Sequence, residues 1–231
     1  MDLHLLPRVD DERACADMAE LVRVAGYSTV GLTLPTGLMP EKVARIRRFF
    51  RDAGIDTAMR VDLAPTSRNE LLRFLRRFRN LYDVVSVKCM NQHVSIVACR
   101  DRRVDLVFFD PANRKVRFSN SLANLLRGAL EFNIAATLQA NESETLSRMS
   151  RDAAIAEQEK VPVVLSSGST SAFMVRAPSQ LAALGSLIGL STERSYRSVS
   201  EVPWMIVSKN ADRKSKEYVE EGVRVATPSA R

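Results

Sequence analysis

The chain has 231 residues, of which 45% are hydrophobic and 26% charged, the composition of a folded soluble protein rather than a disordered one. Its 34 lysine and arginine residues exceed its 27 acidic residues, and the net charge of +7 favours an acidic partner such as a nucleic acid. No apolar run approaches the length of a membrane span and the first residues lack a signal-peptide pattern, so the sequence predicts a cytoplasmic protein with no membrane partner.

Short β-rich segments alternate with amphipathic helical patterns along most of the chain. The patterns predict strands over 2–6, 28–34, 56–63, 83–89, 104–110, 133–139 and 161–166. They predict helices between several of these strands, over 11–25, 41–53, 67–79 and 142–159. Such alternation is typical of parallel strands joined by helices, and repeated units of similar length favour a closed barrel over an open sheet.

This alternation breaks down in the last part of the chain. Residues 178–189 and 192–199 are predicted to be helices and 202–207 a short apolar stretch, which leaves no convincing eighth unit. The sequence thus predicts an α/β protein, a distorted or incomplete TIM-like (β/α) barrel of about seven parallel strands. Because no linker rich in Gly and Ser is present, residues 1–210 are predicted to form one domain, followed by a charged, flexible tail over 211–231.

Basic residues are concentrated between residues 41 and 79, where eleven lysines and arginines face five acidic residues. In the first helix of this region Val43, Ile46 and Phe50 fall on one face, which directs most of the arginines outward. These basic helices 41–79 are a candidate surface for phosphates or for an acidic protein, and an ordinary solvated face is the alternative.

The first predicted strand contains two residues of metal-binding type, Asp2 and His4. Together with Asp62 and Asp110, which end two later strands, His4 could converge on one metal ion, as in a phosphoesterase. The chain has only two histidines, however, and each carboxylate could instead cap the helix that follows it. We therefore predict a structural role for Asp2 and His4, no metal or cofactor bound by this chain, and no catalytic residue in it.

A turn of small residues, Ser166-Ser167-Gly168, follows the seventh predicted strand. A serine nucleophile there would need His93 from a distant unit as its base, and the usual Gly before the serine is missing. The turn could instead offer backbone N–H groups to a phosphate, helped by Arg176, or be only a tight turn.

Four motifs resemble one family in the family's order. They are Val161-Pro162-Val163-Val164-Leu165-Ser166-Ser167-Gly168 with Arg176-Ala177-Pro178, the segment 82–88, the segment 98–106 and the segment 200–210. The sequence from about residue 2 to residue 210 is similar to ribonuclease P protein component 3, the archaeal relatives of the thirty-kilodalton subunit of eukaryotic ribonuclease P.

The resemblance implies a protein subunit of ribonuclease P, the ribonucleoprotein endonuclease that removes the 5′ leader of precursor tRNA. It implies that the RNA component binds the catalytic magnesium that the holoenzyme requires, and that this chain binds and stabilises that RNA. The implied partners are ribonuclease P RNA, ribonuclease P protein component 2, the other ribonuclease P proteins and, indirectly, precursor tRNA. Related metal-dependent phosphatases begin with Asp-x-His-x-His, whereas Leu6 replaces the last histidine here, which argues against metal hydrolysis.

The resemblance also implies RNA contacts for the cationic residues at matching positions, which are Lys88, Arg100, Arg176 and Lys209. Arg114, Lys115 and Arg117 are added on charge alone, and any of the seven could instead pair with a neighbouring carboxylate. Two other functions stay open at this point. One is a metal-dependent phosphoesterase on the same barrel, and the other is a scaffold whose basic helices bind an acidic protein.

Overall fold

Seven parallel strands form the centre of the molecule. The structure, a computed structural model, describes residues 1–135, 142–215, 218–220 and 223–224. The seven strands lie side by side in the order of the chain. They are β1 (Asp2–Leu5), β2 (Thr29–Thr33), β3 (Asp56–Leu63), β4 (Val84–Lys88), β5 (Leu106–Phe108), β6 (Ala129–Asn133) and β7 (Val163–Ser166).

The sheet curls until its two edge strands meet. The N–H of Leu6 donates to the carbonyl oxygen of Ser169 at 2.8 Å, and Leu5 forms a parallel bridge with Ser169. These few backbone contacts join β1 to the end of β7, so the barrel is nearly closed. The predicted TIM-like barrel of seven parallel strands is therefore confirmed.

Six helices connect the strands and three follow the last strand of the barrel in the described part of the chain. The connecting helices are α1 (Glu12–Val24), α2 (Pro40–Asp52), α3 (Arg68–Phe78), α4 (Gln92–Arg100), α5 (Asn120–Ala123) and α6 (Glu142–Gln158). After β7 come a 3-10 turn (Ala172–Met174), α7 (Pro178–Leu187), α8 (Thr192–Arg197) and α9 (Glu201–Arg213), and two short antiparallel strands, β8 (Tyr218–Glu220) and β9 (Val223–Arg224). None of the described helices is long and apolar enough to cross a bilayer.

Local sequence explains where several helices begin. The side chains of Asp11, Ser67 and Asn91 accept backbone N–H groups two to three residues into α1, α3 and α4, at 2.9, 3.2 and 3.0 Å. These caps satisfy donors that a helix leaves unpaired at its first turn. Helices α1, α2, α3 and α6 end within about two residues of their predicted positions.

One predicted element was wrong, and one stretch without an assigned element belongs to a helix. The sixth strand is Ala129–Asn133 and not 133–139, of which 136–139 lie outside the described residues. A glutamate in the middle of this strand, Glu131, breaks its apolar pattern because it faces a polar barrel interior. The apolar stretch 202–207 is the first half of α9, which continues past the predicted boundary at 210 to Arg213. The flexibility of residues 211–231 stays a prediction.

Helix α9 covers the amino end of the barrel. Inside the barrel at that end lies an apolar layer of Leu3, Val84, Leu106, Ala129 and Val164, against which Val202, Ile206 and Val207 of α9 pack. The amide of Asn210 donates to the carbonyl oxygen of Asp83 at 2.8 Å and to Asp105 Oδ1 at 2.9 Å. Apolar contact and two buried hydrogen bonds thus hold this helix in place.

An irregularity in β1 allows two consecutive residues to face the barrel interior. Asp2 pairs with Val30 but Leu5 pairs with Leu32, so β1 contains one more residue than β2 over the same length. Leu3 joins the apolar layer at the amino end, while the side chain of His4 lies beyond that layer, farther into the barrel, among polar side chains. The backbone of Leu3 lies so near β2 that a Cβ at Gly31 would be 2.4 Å from the Leu3 carbonyl oxygen, which explains the glycine.

Candidate functional site

A buried ion pair fills the barrel interior above the apolar layer. Arg60 of β3 and Glu131 of β6 make two parallel contacts, Nη1 to Oε1 and Nη2 to Oε2, both 2.6 Å long. Arg60 Nε also donates to Asp62 Oδ1 at 2.7 Å. Arg60 is 1% exposed and Glu131 2%, so the fork-shaped pair is shielded from water.

Neighbouring groups satisfy the rest of this pair. The hydroxyls of Ser166 and Ser86 donate to the two Glu131 oxygens at 2.6 and 3.2 Å, and Arg60 Nη1 donates to the Leu3 carbonyl at 3.3 Å. Burial alone would raise the pKa of Glu131, but the charges and hydrogen bonds of Arg60 and His4 together hold that pKa well below its usual value. Burial likewise acts to lower the pKa of Arg60, and the charges of Asp62 and Glu131 reverse it. Both partners are therefore charged at neutral pH.

His4 has one ring nitrogen hydrogen-bonded and the other close to a carboxylate. The Asn133 side-chain oxygen accepts the Ala135 N–H at 2.9 Å, which directs the Asn133 amide nitrogen at His4 Nδ1, 2.8 Å away. Because Nδ1 accepts this hydrogen bond, a neutral imidazole carries its proton on Nε2. Nε2 lies 2.9 Å from Asp62 Oδ2. His4 is thus a buried link between β1, β3 and β6.

Asp2 has a structural role, as predicted. Its carboxylate is buried and accepts the N–H groups of His4, at 3.0 Å, and Ser167, at 3.2 Å. Burial raises the pKa of Asp2, with these hydrogen bonds acting in the opposite direction. The contact between Asp2 and Ser167 ties β1 to the turn after β7 where the barrel closes.

The alternative sites raised by the sequence do not assemble. Asp110 pairs with Lys88 at 2.7 Å instead of joining His4 and Asp62. Within the described residues, no group of three or more His, Cys, Asp or Glu side chains could hold a metal ion. Ser166 is fully buried and donates to Glu131, while His93 lies exposed on α4, so these two residues do not form a nucleophile and its base.

The seven predicted RNA contacts lie at two opposite ends of the barrel. Five lie where the strands end or in the loops that follow, which we call the carboxyl rim, and two lie toward the amino end. The first five are Lys88, Arg114, Lys115, Arg117 and Arg176, and the other two are Arg100, the last residue of α4, and Lys209 of α9. The seven residues therefore do not form one continuous surface.

Three of the rim cations are engaged within the chain. Lys88 pairs with Asp110, Arg114 lies 3.0 Å from Glu144, and Arg176 donates to the carbonyl oxygens of Phe173 and Val175 at 3.0 and 3.1 Å. Lys115 and Arg117 are exposed and make no ion pair with a residue in the described ranges. The last two are the rim cations best placed to meet a phosphate.

The central ion pair was not anticipated from the sequence. Arg60 is one of the eleven basic residues of 41–79, a region whose charge suggests an outer surface, yet the structure buries it completely. The alternation of β3 contains the signal, since Arg60 and Asp62 occupy alternate positions and so share one face. Glu131 gave no such signal because its strand was misplaced.

The sheet of seven parallel strands and its helices place this protein in the class of α/β proteins with a TIM-like barrel. Residues 1–215 match the family model described as RNase P subunit p30, and the chain belongs to this family.

Curated relatives of the chain are named ribonuclease P protein component 3. That of Methanococcoides burtonii is 26% identical, with 99% of this chain and 94% of the relative covered. That of Methanosarcina barkeri is 27% identical over 96% of this chain and 93% of the relative. A chain in the cryo-EM structure of archaeal ribonuclease P with mature tRNA has the same fold, with a TM-score of 0.83 and 16% identity over 99% of this chain and 100% of that one.

Removal of one partner of the central ion pair is expected to destabilise the protein strongly. Arg60→Met leaves the buried Glu131, and the partly exposed Asp62, without their cation, and we expect a loss of about 3–5 kcal/mol in the free energy of unfolding measured with urea. The double variant Arg60→Met/Glu131→Leu removes both charges and should recover part of that loss. Arg48→Met is the matched control, because Arg48 pairs with Asp52 on the surface and should cost at most about 0.5 kcal/mol. Strictly additive losses in the double variant would contradict the pairing.

Stability should depend on pH through the same pair. Glu131 titrates near 4.5 when unfolded and at a lower pH when folded, so its stabilising contribution is complete above pH 4.5 and disappears as the pH falls toward the folded value. The free energy of unfolding of the parent chain should therefore fall more steeply below pH 4.5 than that of Arg60→Met/Glu131→Leu. Parallel curves from urea titrations at each pH would argue against the lowered pKa.

Proposed function

We propose that this chain is a non-catalytic protein subunit of ribonuclease P that binds and stabilises the catalytic RNA. The observation that carries the proposal is the occupied barrel interior. There Arg60 binds Glu131 and Asp62, and Asn133 is hydrogen-bonded to His4 Nδ1. A barrel whose polar centre is occupied by its own ion pair can act on RNA cleavage through its outer surface.

The surface supports this role through its charge. The net charge of +7 and the exposed cations of the carboxyl rim suit the crowded phosphates of a folded RNA. The proposed contacts remain Lys88, Arg100, Arg114, Lys115, Arg117, Arg176 and Lys209. The phosphoesterase alternative is not favoured, because Asp110 and Asp62 each already pair with a cation of this chain.

Partners follow from the family and from the relative seen in an archaeal ribonuclease P. We infer that the chain acts together with ribonuclease P protein component 2 and other ribonuclease P proteins. In this proposal the RNA supplies the chemistry and binds the magnesium ions, and the chain meets precursor tRNA indirectly. Its own contribution is to lower repulsion between phosphates and to hold the RNA in its active fold.

Loss of a rim cation should weaken RNA binding and its dependence on salt. Each phosphate contact releases counterions, so Lys115→Ala and Arg117→Ala should each reduce the slope of log affinity against log salt by about one. Arg13→Ala, which removes an exposed cation of α1 outside the proposed contacts, is the matched control. Binding to ribonuclease P RNA is measured by filter retention across a salt series. If both rim variants behaved like the control, the result would contradict these contacts.

The assembled enzyme provides the test of the proposed function. This chain and ribonuclease P protein component 2, added together to the catalytic RNA, should lower the magnesium concentration needed for correct 5′ cleavage of precursor tRNA, while this chain alone should have little effect. Cleavage is followed against magnesium with neither, either or both proteins. An unchanged magnesium requirement with the pair would overturn the proposal, as would metal-dependent RNA hydrolysis by this chain alone that disappears in His4→Ala.

A further inference from the structure

A groove opens at the amino end of the barrel, away from the carboxyl rim. We call it the amino-end groove; it lies between α9 and the segments that enter β5, β6 and β7, and its volume is about 750 Å³. Seven of its lining residues are lysine or arginine and two are aspartate. One of the aspartates, Asp105, is buried and already bound by Arg79 and Asn210. The groove is therefore strongly positive.

Three cations of the groove make no ion pair with the described residues. Arg102, Arg127 and Lys160 are exposed and make no ion pair with any residue that the structure describes. Two other arginines of the groove, Arg194 and Arg197, are bound instead by Glu157 and Glu201. Since the described residues leave the charges of Arg102, Arg127 and Lys160 without a partner, these three side chains are available for an external anion.

An exposed tryptophan lies among these cations. Trp204, the only tryptophan of the chain, is 58% exposed on α9, although Val202 and Ile206 on either side pack into the barrel. One helical turn away from Trp204 on its own face are Glu201 and Ser208. Met205, the next residue, also lines the groove and is 57% exposed, but Glu201 and Ser208 interrupt the apolar stripe along several turns that a docking protein helix needs. A flat ring bordered by cations is what a stacked base and its phosphates require.

The backbone at Lys160 supports the same conclusion independently. Helices α1, α2 and α7 are each followed by a glycine with positive φ, whereas α6 is followed by Lys160 with φ of 55°. At all four helix ends the next N–H donates back to a carbonyl five residues earlier, as from Val161 to Ala156 at 2.9 Å. The left-handed conformation disfavours a side chain, so the lysine at the edge of the groove carries a cost in stability that a glycine there would avoid.

We propose that the amino-end groove binds an unpaired nucleotide of RNA, with the base stacked on the Trp204 indole and the neighbouring phosphates paired with Arg102, Arg127 and Lys160. The inference rests on the proposed RNA-binding function and assigns it a second surface, at the end of the barrel opposite the rim. Stacking tolerates any base, so the groove would select single-stranded RNA over a regular duplex.

The chain reports directly on this groove because Trp204 is its only tryptophan. Two probes are used with the full chain, an oligouridine of about 10 nucleotides, enough to cover one such site, and an archaeal ribonuclease P RNA. Stacking should quench the tryptophan fluorescence, and added salt should reverse the quenching as the phosphates are released.

Variants separate stacking from charge. Trp204→Ala should weaken oligouridine binding about tenfold, and Trp204→Phe, which keeps a smaller ring, should weaken it less. Leu187→Ala, at another exposed apolar residue outside the groove, is the matched control. Lys160→Gly should weaken binding and reduce the salt slope by about one, yet leave the melting temperature unchanged or higher, because glycine accepts the left-handed backbone.

The outcomes distinguish this inference from the proposed function. Binding of ribonuclease P RNA with no change in fluorescence, and with affinity unaltered in Trp204→Ala, would overturn the groove assignment and leave the RNA-binding function intact. Failure of the parent chain to bind either RNA at low salt would overturn both. A fluorescence change on adding ribonuclease P protein component 2 but not RNA would identify the groove as a protein interface and overturn the present inference.

Discussion

The paired charges of Arg60 and Glu131 are the constraint on which the barrel interior depends. They join strands 71 residues apart in the chain, and each is compensated by the other and by hydroxyls, a carbonyl and Asp62. Two bare charges could not be buried at this depth, since the desolvation penalty would exceed the gain from folding. The pair therefore fixes the positions of β3 and β6 relative to each other across the barrel. The positions of His4, Ser86 and Ser166 follow from it.

A helix covers the amino end of the barrel, whereas loops cover the carboxyl end. The two ends therefore offer different surfaces to the partners of the chain. At the amino end α9 packs onto an apolar layer and is fastened by Asn210, which leaves a rigid groove along the helix. At the carboxyl end the loops present cations, some of them bound by Asp110 and Glu144. The strands supply stability and the helices and loops supply charge, so the outer surface can diverge while the interior stays fixed.

The barrel could be predicted from the sequence because strands and helices recur at regular spacing and because capping residues such as Asp11 and Ser67 mark helix starts. The sixth strand could not, since Glu131 is polar for a reason that lies on another strand. Residues 202–207 were left without an assigned element because only this first half of α9 is apolar. The candidate site was less accessible still, because burial of Arg60 and the pairing of Asp110 with Lys88 depend on tertiary distances. The RNA partner was suggested by family motifs, and charge alone would have left an acidic protein equally open.

The close packing of the interior pair also limits how the family can vary. A single replacement by an uncharged residue at position 60 or 131 takes the partner from a buried charge, so the path to an uncharged pair passes through an unstable sequence. The two positions should accordingly be inherited as a unit, kept together or exchanged together. A lineage that began to exchange them would first need spare stability from elsewhere in the barrel.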